Sequence, residues 1–387
     1  AIHGWGGRVI NILAIIATLF GSACSLGLGA LQIGGGIQAT GMMEKVGSGV
    51  LVVIIAILTA LFVASAISGI ERGIQWLSNT NMVLAVILAL IVFIGGPTLF
   101  ILNVIPNAIG SFIGDLPQMA SRTAASGDEA VSSWLSSWTV FYWAWWVSWT
   151  PFVGLFIARI SRGRTIRQFV TGVLLVPSTV TLLWFAIFGG GAIGIQERAE
   201  RAGDTSAQLA QIVDGAPDIN FDLILFDMLE QLPVAGWVSV VLMVLAVLLI
   251  AIFFVTGADS ASIVMGALSE KGAENGINGI VGFFRGLPGG ILGALGNVGN
   301  LLVDAGENII KGFLNGLKNI TIVTALPFVV VMLLLCVAIW KDLSRDPLIL
   351  RSTVARQVLE NSVSRGVDRH EGSGFSLMTT EIPVVEA

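Results

Sequence analysis

Seven apolar runs stand out along the 387 residues, at about 9–33, 48–68, 82–104, 139–160, 169–194, 234–257 and 320–340. Each is about 20 residues or longer, the length an α-helix needs to cross the hydrocarbon core of a bilayer. A single chain segment in lipid must satisfy its own backbone polar groups, so such runs predict helices. The pattern predicts an all-α, polytopic membrane protein, multi-pass in the cell inner (plasma) membrane. Three helices fall within residues 1–104, and a polar, amphipathic linker covers 105–137. Three more helices lie within 138–275, a Gly-rich atypical segment at 276–317, a last membrane helix at 318–340 and a polar tail at 341–387. In the linker, Ile105, Ile109, Phe112 and Ile113 form an apolar stripe suited to lying at the membrane interface. Gly95-Gly96-Pro97 is expected to bend the third segment.

Composition sharpens this picture. Hydrophobic residues make up 55% and charged residues 12% of the chain, against about 25% charged in a soluble domain. No Walker loop, zinc motif or Ser/His/Asp set is present, so the chain does not read as an enzyme. His3 and His370 lie near the ends, and Cys24 and Cys336 sit in separate apolar runs, which argues against a metal cluster, a cofactor or a disulfide framework.

Charge placement gives a topology. Arg159, Arg162, Arg164 and Arg167 follow the fourth segment with no acid among them, which places that loop in the cytoplasm and accounts for the arginines without nucleic acid. The loop at 195–233 is mostly acidic and lacks the order of a calcium loop, so it reads as a solvated outer surface. The sixth segment ends in Thr256-Gly257-Ala258-Asp259-Ser260, where a distortion or a helix end near the cytoplasmic face is expected; in its plainest form Asp259 is in water. Pro288 and the glycines of 276–317 disfavour a helix, and Asp304, Glu307 and Lys311 interrupt any span. That stretch resembles the glycine-rich segments of phage tail tape-measure proteins. For the tail to be cytoplasmic, as its basic start suggests, the stretch must cross or re-enter the membrane.

Candidate chemistry concentrates in residues 137–152, which hold five of the eleven tryptophans and the only tyrosine. On a helix Tyr142, Trp145, Trp146 and Trp149 share one face by i, i+3, i+4, i+7 spacing. Periodicity alone leaves two readings open. One is an interfacial aromatic belt with packing. The other is an aromatic wall for a quaternary ammonium, which cannot donate hydrogen bonds and is held by ring faces. In the first segment Thr18 and Ser22 are four apart and Ser25 lies about one turn further on. Small residues of this kind serve close helix packing, or their oxygens serve a cation.

Ser-Trp-Thr-Val-Phe-Tyr-Trp-Ala-Trp-Trp at 137–146, the following Ser-Trp-Thr-Pro-Phe and Arg-Ile-Ser-Arg-Gly-Arg at 159–164 resemble the signature of the betaine/carnitine/choline transporter family. The chain is most similar to its sodium-coupled glycine-betaine members, over residues 1–275 and 318–350. The resemblance implies a partial LeuT-type fold of inverted repeats, in which 105–137 links the repeats and the counterparts of the first four of twelve family spans are lacking. It implies secondary uptake of glycine betaine or a related quaternary-ammonium osmolyte as an osmoprotectant, with sodium as coupling ion and a homotrimeric assembly. Trp146 would face the trimethylammonium group, Trp145, Trp149 and Tyr142 would complete the substrate wall, and Ser25 would face the substrate. The ion would be held by Thr18, Ser22 and the Phe152 carbonyl, and at a second site by Phe253, Thr256 and Gly257, the last where the family's reference has serine. No Lys or Arg lies deep in segments one, four or six, which favours a sodium ion over a fixed basic side chain. The competing expectation is a truncated or chimeric, non-transporting membrane protein of the same family.

Overall fold

The computed structural model describes residues 4–68, 75–161, 163–213, 216–269, 307–344 and 357–365. They fall into two units, Ala1–Phe328 and Val329–Ala387. In the second, residues 329–344 and 357–365 are helical. In the first, the chain is built almost wholly of helices.

Helix α1, Trp5–Ala39, buries a stripe of small residues that includes Ala14, Ala17, Thr18, Gly21 and Cys24. Small side chains let helix backbones approach closely, which matters in lipid because lipid tails are as apolar as the helix surfaces. Gly34, Gly35 and Gly36, expected beyond the first span, lie inside this helix and are buried. A Cβ on Gly36 would lie 2.6 Å from the Phe226 ring, and one on Gly35 would strike the Asp222 carbonyl oxygen. Close packing keeps the glycines helical.

Helix α2, Ser48–Ser68, coincides with the second predicted segment. The third is displaced. Helix α3 runs Gln75–Gly95 and α4 runs Thr98–Ala120, so Gly96-Pro97 breaks the chain where a bend was expected. The reason is local: the residue before a proline is pushed out of the helical region, and the ring then starts a new helix. Of the predicted amphipathic stripe, Ile109, Phe112 and Ile113 are exposed on α4 and Ile105 is half-buried. With α4, eight helices among the described residues are long and apolar enough to cross a membrane, one more than the sequence suggested.

Helix α5, Glu129–Trp134, is capped by Asp128, whose carboxylate accepts from Val131 N–H at 3.1 Å. A π-helical turn, Leu135–Val140, leads directly into α6, Phe141–Ile160. Helix α7, Ile166–Ala202, passes through Gly189-Gly190-Gly191 and runs beyond residue 194, where the fifth apolar run ends. Gly190 and Gly194 serve the contact with α4 and the proline before it: a Cβ on Gly190 would lie 3.0 Å from Val104, and one on Gly194 2.8 Å from Pro97. The helix ends at Gly203, whose φ of 69° suits glycine. The acidic loop then forms an antiparallel ribbon, β1 Gln211–Val213 with β2 Ala216–Asp218, and a short helix α8, Ile224–Glu230.

Helix α9, Gly236–Ser269, is continuous through Thr256 and Gly257, which corrects the predicted distortion. Asp259 is fully buried and accepts a 2.6 Å hydrogen bond from the Ser65 hydroxyl of α2, so it is not in water. The last helix, α10, Glu307–Ser344, starts well before residue 318. It thus makes the end of the Gly-rich stretch helical; the rest of that stretch, 276–306, lies outside the described residues, as does most of the tail.

Two apolar clusters hold the first unit. One joins α3, α7, α8 and α9 through Leu88, Val92, Ile195, Phe226, Leu229 and Leu242. The other joins α1, α2 and α9 through Ile33, Leu58, Phe62, Phe254 and Val255. Together they fix α9 beside α1, and α1 in turn packs along α6.

Candidate functional site

The contact between α1 and α6 brings together most of the sequence-predicted substrate residues. Trp145 points at α1: its indole Nε1 donates to Ser25 Oγ at 2.9 Å and to the Gly21 carbonyl at 3.3 Å. Ser25 Oγ itself donates to Gly21 O at 3.0 Å. Three residues on, Ser148 is fully buried and donates to its own Trp145 carbonyl at 2.6 Å. Gly21 makes this approach possible. A Cβ there would collide with Ser148 Oγ and lie 3.1 Å from Trp149 Cδ1.

These contacts show that α1 and α6 run antiparallel along the seam. Trp145 meets Gly21 and Ser25, and Ser148 and Trp149 meet Gly21. By that register Thr18 falls about level with Phe152, one helical turn further along each helix. Thr18 is fully buried and its hydroxyl has no partner among the described residues; Trp149 Nε1 is likewise buried without one. Phe152 is buried and Ser22 half-buried. A buried hydroxyl with no partner costs about 1–3 kcal/mol, and a bound ion or water at that level would offset it.

The rings in a continuous row along α6 are Phe141, Trp145, Trp149 and Phe152, which share Trp145 and Trp149 with the predicted face. Trp146, the next residue round the helix from Trp145, is 69% exposed. Tyr142 sits at the edge, 5.5 Å from Phe141 and 5.6 Å from Trp145, both edge-to-face, and is 40% exposed. Phe141 stacks on Trp145 at 5.7 Å with 17° between the planes. The signal was present in the sequence: 141, 145, 148, 149 and 152 fit a helical stripe as well as 142, 145, 146 and 149 do, once a small serine is allowed to mark a contact.

Lys318 was also missed. Its ammonium stands 5.3 Å above the Phe141 ring centroid. One turn on, Thr321 is fully buried and donates to Phe20 O of α1 at 3.3 Å and to Leu317 O at 2.8 Å. A basic side chain therefore does reach the seam, delivered by α10 and not by segments one, four or six.

The three residues expected at a second ion site all lie on α9, away from these contacts. Phe253 is 58% exposed. Thr256 donates to Ile252 O at 2.9 Å, within its own helix. A Cβ on Gly257 would meet nothing within 4 Å. A cleft of about 680 Å³ lies elsewhere again, between Gly34, Gln38 and Leu51 on one side and Asp222 and Asp227 on the other. Among the described residues no group of His, Cys, Asp and Glu could hold a metal ion.

The family model for the betaine/carnitine/choline transporters matches residues 1–348, a range that spans the Gly-rich stretch. The chain belongs to this family. It is 41% identical over 375 residues to the betaine/ectoine transporter LcoP of Corynebacterium glutamicum, covering 97% of this chain and 55% of that protein. It is 39% identical over 345 residues to the glycine betaine transporter OpuD of Bacillus subtilis, covering 89% of this chain and 61% of the relative. Glycine betaine transporter 1 of Vibrio parahaemolyticus is 37% identical over 336 residues, covering 87% of this chain and 58% of its own length. The chain thus spans little more than half the length of these relatives. Its relatives are transporters, not enzymes, which agrees with the absence of catalytic motifs in the sequence.

Proposed function

We propose that the chain is a substrate- and ion-handling part of a secondary transporter that takes up glycine betaine or a closely related quaternary-ammonium osmolyte. The observation that carries this reading is the α1–α6 seam: a continuous row of four rings locked to α1 through the Trp145–Ser25 hydrogen bond. Ring faces hold a desolvated quaternary ammonium by roughly 2 kcal/mol or more per contact. Relatives named for betaine support the choice of ligand. Trp145, Trp149 and Tyr142 then contact the substrate with Ser25, while Trp146 is open to a part of the site contributed from outside these residues.

Sodium is the proposed coupling ion. The unpartnered Thr18 hydroxyl, with Ser22 on the same helix and the Phe152 backbone at the same level, supplies hard oxygen ligands. Thr256, Gly257 and Phe253 belong to a second site only if α9 moves or a further oxygen approaches Gly257. A homotrimer in the inner membrane completes the proposal. The test is uptake of labelled glycine betaine by a protein containing residues 1–387, in cells without their own betaine uptake. Saturable accumulation that requires sodium supports the reading, and accumulation indifferent to sodium leaves betaine but removes the ion assignment. Absence of uptake by a correctly inserted protein overturns both.

A further inference from the structure

Lys318 has chemistry that the aromatic seam does not use. It is half-buried in α10, a helix apolar enough to cross the membrane. Its position is set by Thr321, whose hydroxyl bonds α10 to the Phe20 carbonyl of α1 one turn away. The ammonium rests above Phe141. A ring face attracts the charge and gives the N–H donors at best a weak acceptor. Among the described residues Lys318 makes no ion pair. A half-buried lysine near the start of a helix apolar enough to cross a membrane, with no ion-pair partner among the described residues, can take an anionic group.

Glycine betaine carries two groups that need different partners. The trimethylammonium is satisfied by rings. The carboxylate needs donors. On the seam Trp145 Nε1 is committed to Ser25 and Gly21, and the hydroxyls of Ser25 and Ser148 are committed to backbone carbonyls. Trp149 Nε1 and the Thr18 hydroxyl have no partner among the described residues, but both are neutral and buried further along the seam, whereas Lys318 brings a full positive charge to the Phe141 end. We propose that Lys318 takes the carboxylate of the zwitterion and thereby acts as a specificity-determining residue. This rests on the betaine reading above. The trimethylammonium lies against the exposed ring of Tyr142, which meets Phe141 edge-to-face at 5.5 Å, so the two ends of the substrate face neighbouring rings. The same lysine repels a quaternary ammonium that lacks a carboxylate. Attraction to one ligand and repulsion of its competitor reside in one side chain, which is how discrimination is built efficiently.

The experiment uses residues 1–387 in lipid nanodiscs, with glycine betaine and choline as probes and indole fluorescence as readout. The expected result is tighter binding of betaine than of choline by tenfold or more. Lys318→Met should lower betaine affinity about tenfold and bring the ratio near one, while Lys318→Arg keeps the preference. Thermal unfolding of each variant checks that the fold is retained; if Lys318→Met unfolds, Lys318→Gln takes its place. Unchanged betaine affinity and an unchanged ratio in a folded Met or Gln variant overturn the proposal and leave the betaine reading standing. No binding of either probe to the folded parent removes the betaine reading and this proposal together.

Discussion

Trp145 and Ser25 are joined by a 2.9 Å hydrogen bond between residues 120 positions apart, and this bond sets the register of α6 against α1. Gly21 O stands behind it as a second acceptor at 3.3 Å. Ser25→Ala should therefore cost only about 0.5–1.5 kcal/mol of stability, the net worth of one such bond, because the indole retains a partner. Trp145→Leu loses both bonds and the stacking on Phe141, and should cost more than twice as much. Thermal unfolding in detergent or nanodiscs compares the two; equal losses would show that the indole N–H carries nothing.

Gly21 is the tightest point of the seam. Gly21→Ala forces a methyl group into Ser148 Oγ and against Trp149, an overpacking that typically costs 1–3 kcal/mol. Adding Ser148→Ala removes the colliding oxygen and should recover part of that loss. Strictly additive losses in the double-mutant cycle would separate the two residues.

The Asp259–Ser65 bond links α9 to α2 inside the first unit. Ser65→Ala takes away the hydrogen bond to one carboxylate oxygen, while the other has no partner among the described residues. Leaving a buried polar group unsatisfied costs about 1–3 kcal/mol, more if it is charged. A lowered unfolding temperature in Ser65→Ala, with Ser65→Thr close to the parent, is the expected pattern. A stability unaffected by Ser65→Ala would mean the bond is dispensable.

Much of the fold was legible because its signal is local. Apolar run length located α2, α6 and α7 to within a few residues of their cores, and the positive loop after α6 needed only a count of arginines. Tertiary contacts explain what a linear reading leaves open. Gly34–Gly36, Gly189–Gly191 and Gly257 all lie inside helices. At Gly34–Gly36 and at Gly190 other parts of the chain crowd the place of a Cβ, which is information about a partner away in sequence. The aromatic residues of α6 depend on such information too. Trp146 has the same composition signal as Trp145, and only the position of α1 decides which indole is inside. Lys318 was invisible to a helix-by-helix reading because its meaning depends on Phe141, which lies on another helix.

Thr18 separates an ion ligand from a packing residue. Thr18→Val keeps the shape and deletes the unpartnered hydroxyl. If the hydroxyl serves packing alone, the valine variant should be at least as stable as the parent, and sodium should act on both alike. If it ligates sodium, added sodium should raise the parent's unfolding temperature as expected of a ligand bound only to the native state, and Thr18→Val should lose that increase. Identical sodium responses would remove Thr18 from the ion site.

Trp146 tests whether the exposed face of α6 has a binding role. At 69% exposure its ring contributes little packing within these residues, so Trp146→Leu should leave the unfolding temperature nearly unchanged. Surface substitutions away from special features usually stay within about 0.5 kcal/mol. Its effect on betaine should be larger. One desolvated cation–π contact is worth about 1–2 kcal/mol, and 1.4 kcal/mol is a tenfold change in affinity. In a transport-competent protein containing this chain, Trp146→Leu should therefore raise the betaine concentration for half-maximal uptake about tenfold while Trp146→Phe, which keeps a ring, loses less. The contrast with Trp145 is what makes the result readable. Trp145→Leu should reduce both stability and uptake because its indole is part of the α1–α6 seam, whereas Trp146→Leu should reduce uptake alone. A Trp146→Leu protein that is stable and takes up betaine with the parent's apparent affinity would show that this ring lies outside the substrate's path, leaving the seam formed by Phe141, Trp145, Trp149 and Phe152 as the sole aromatic wall on this helix.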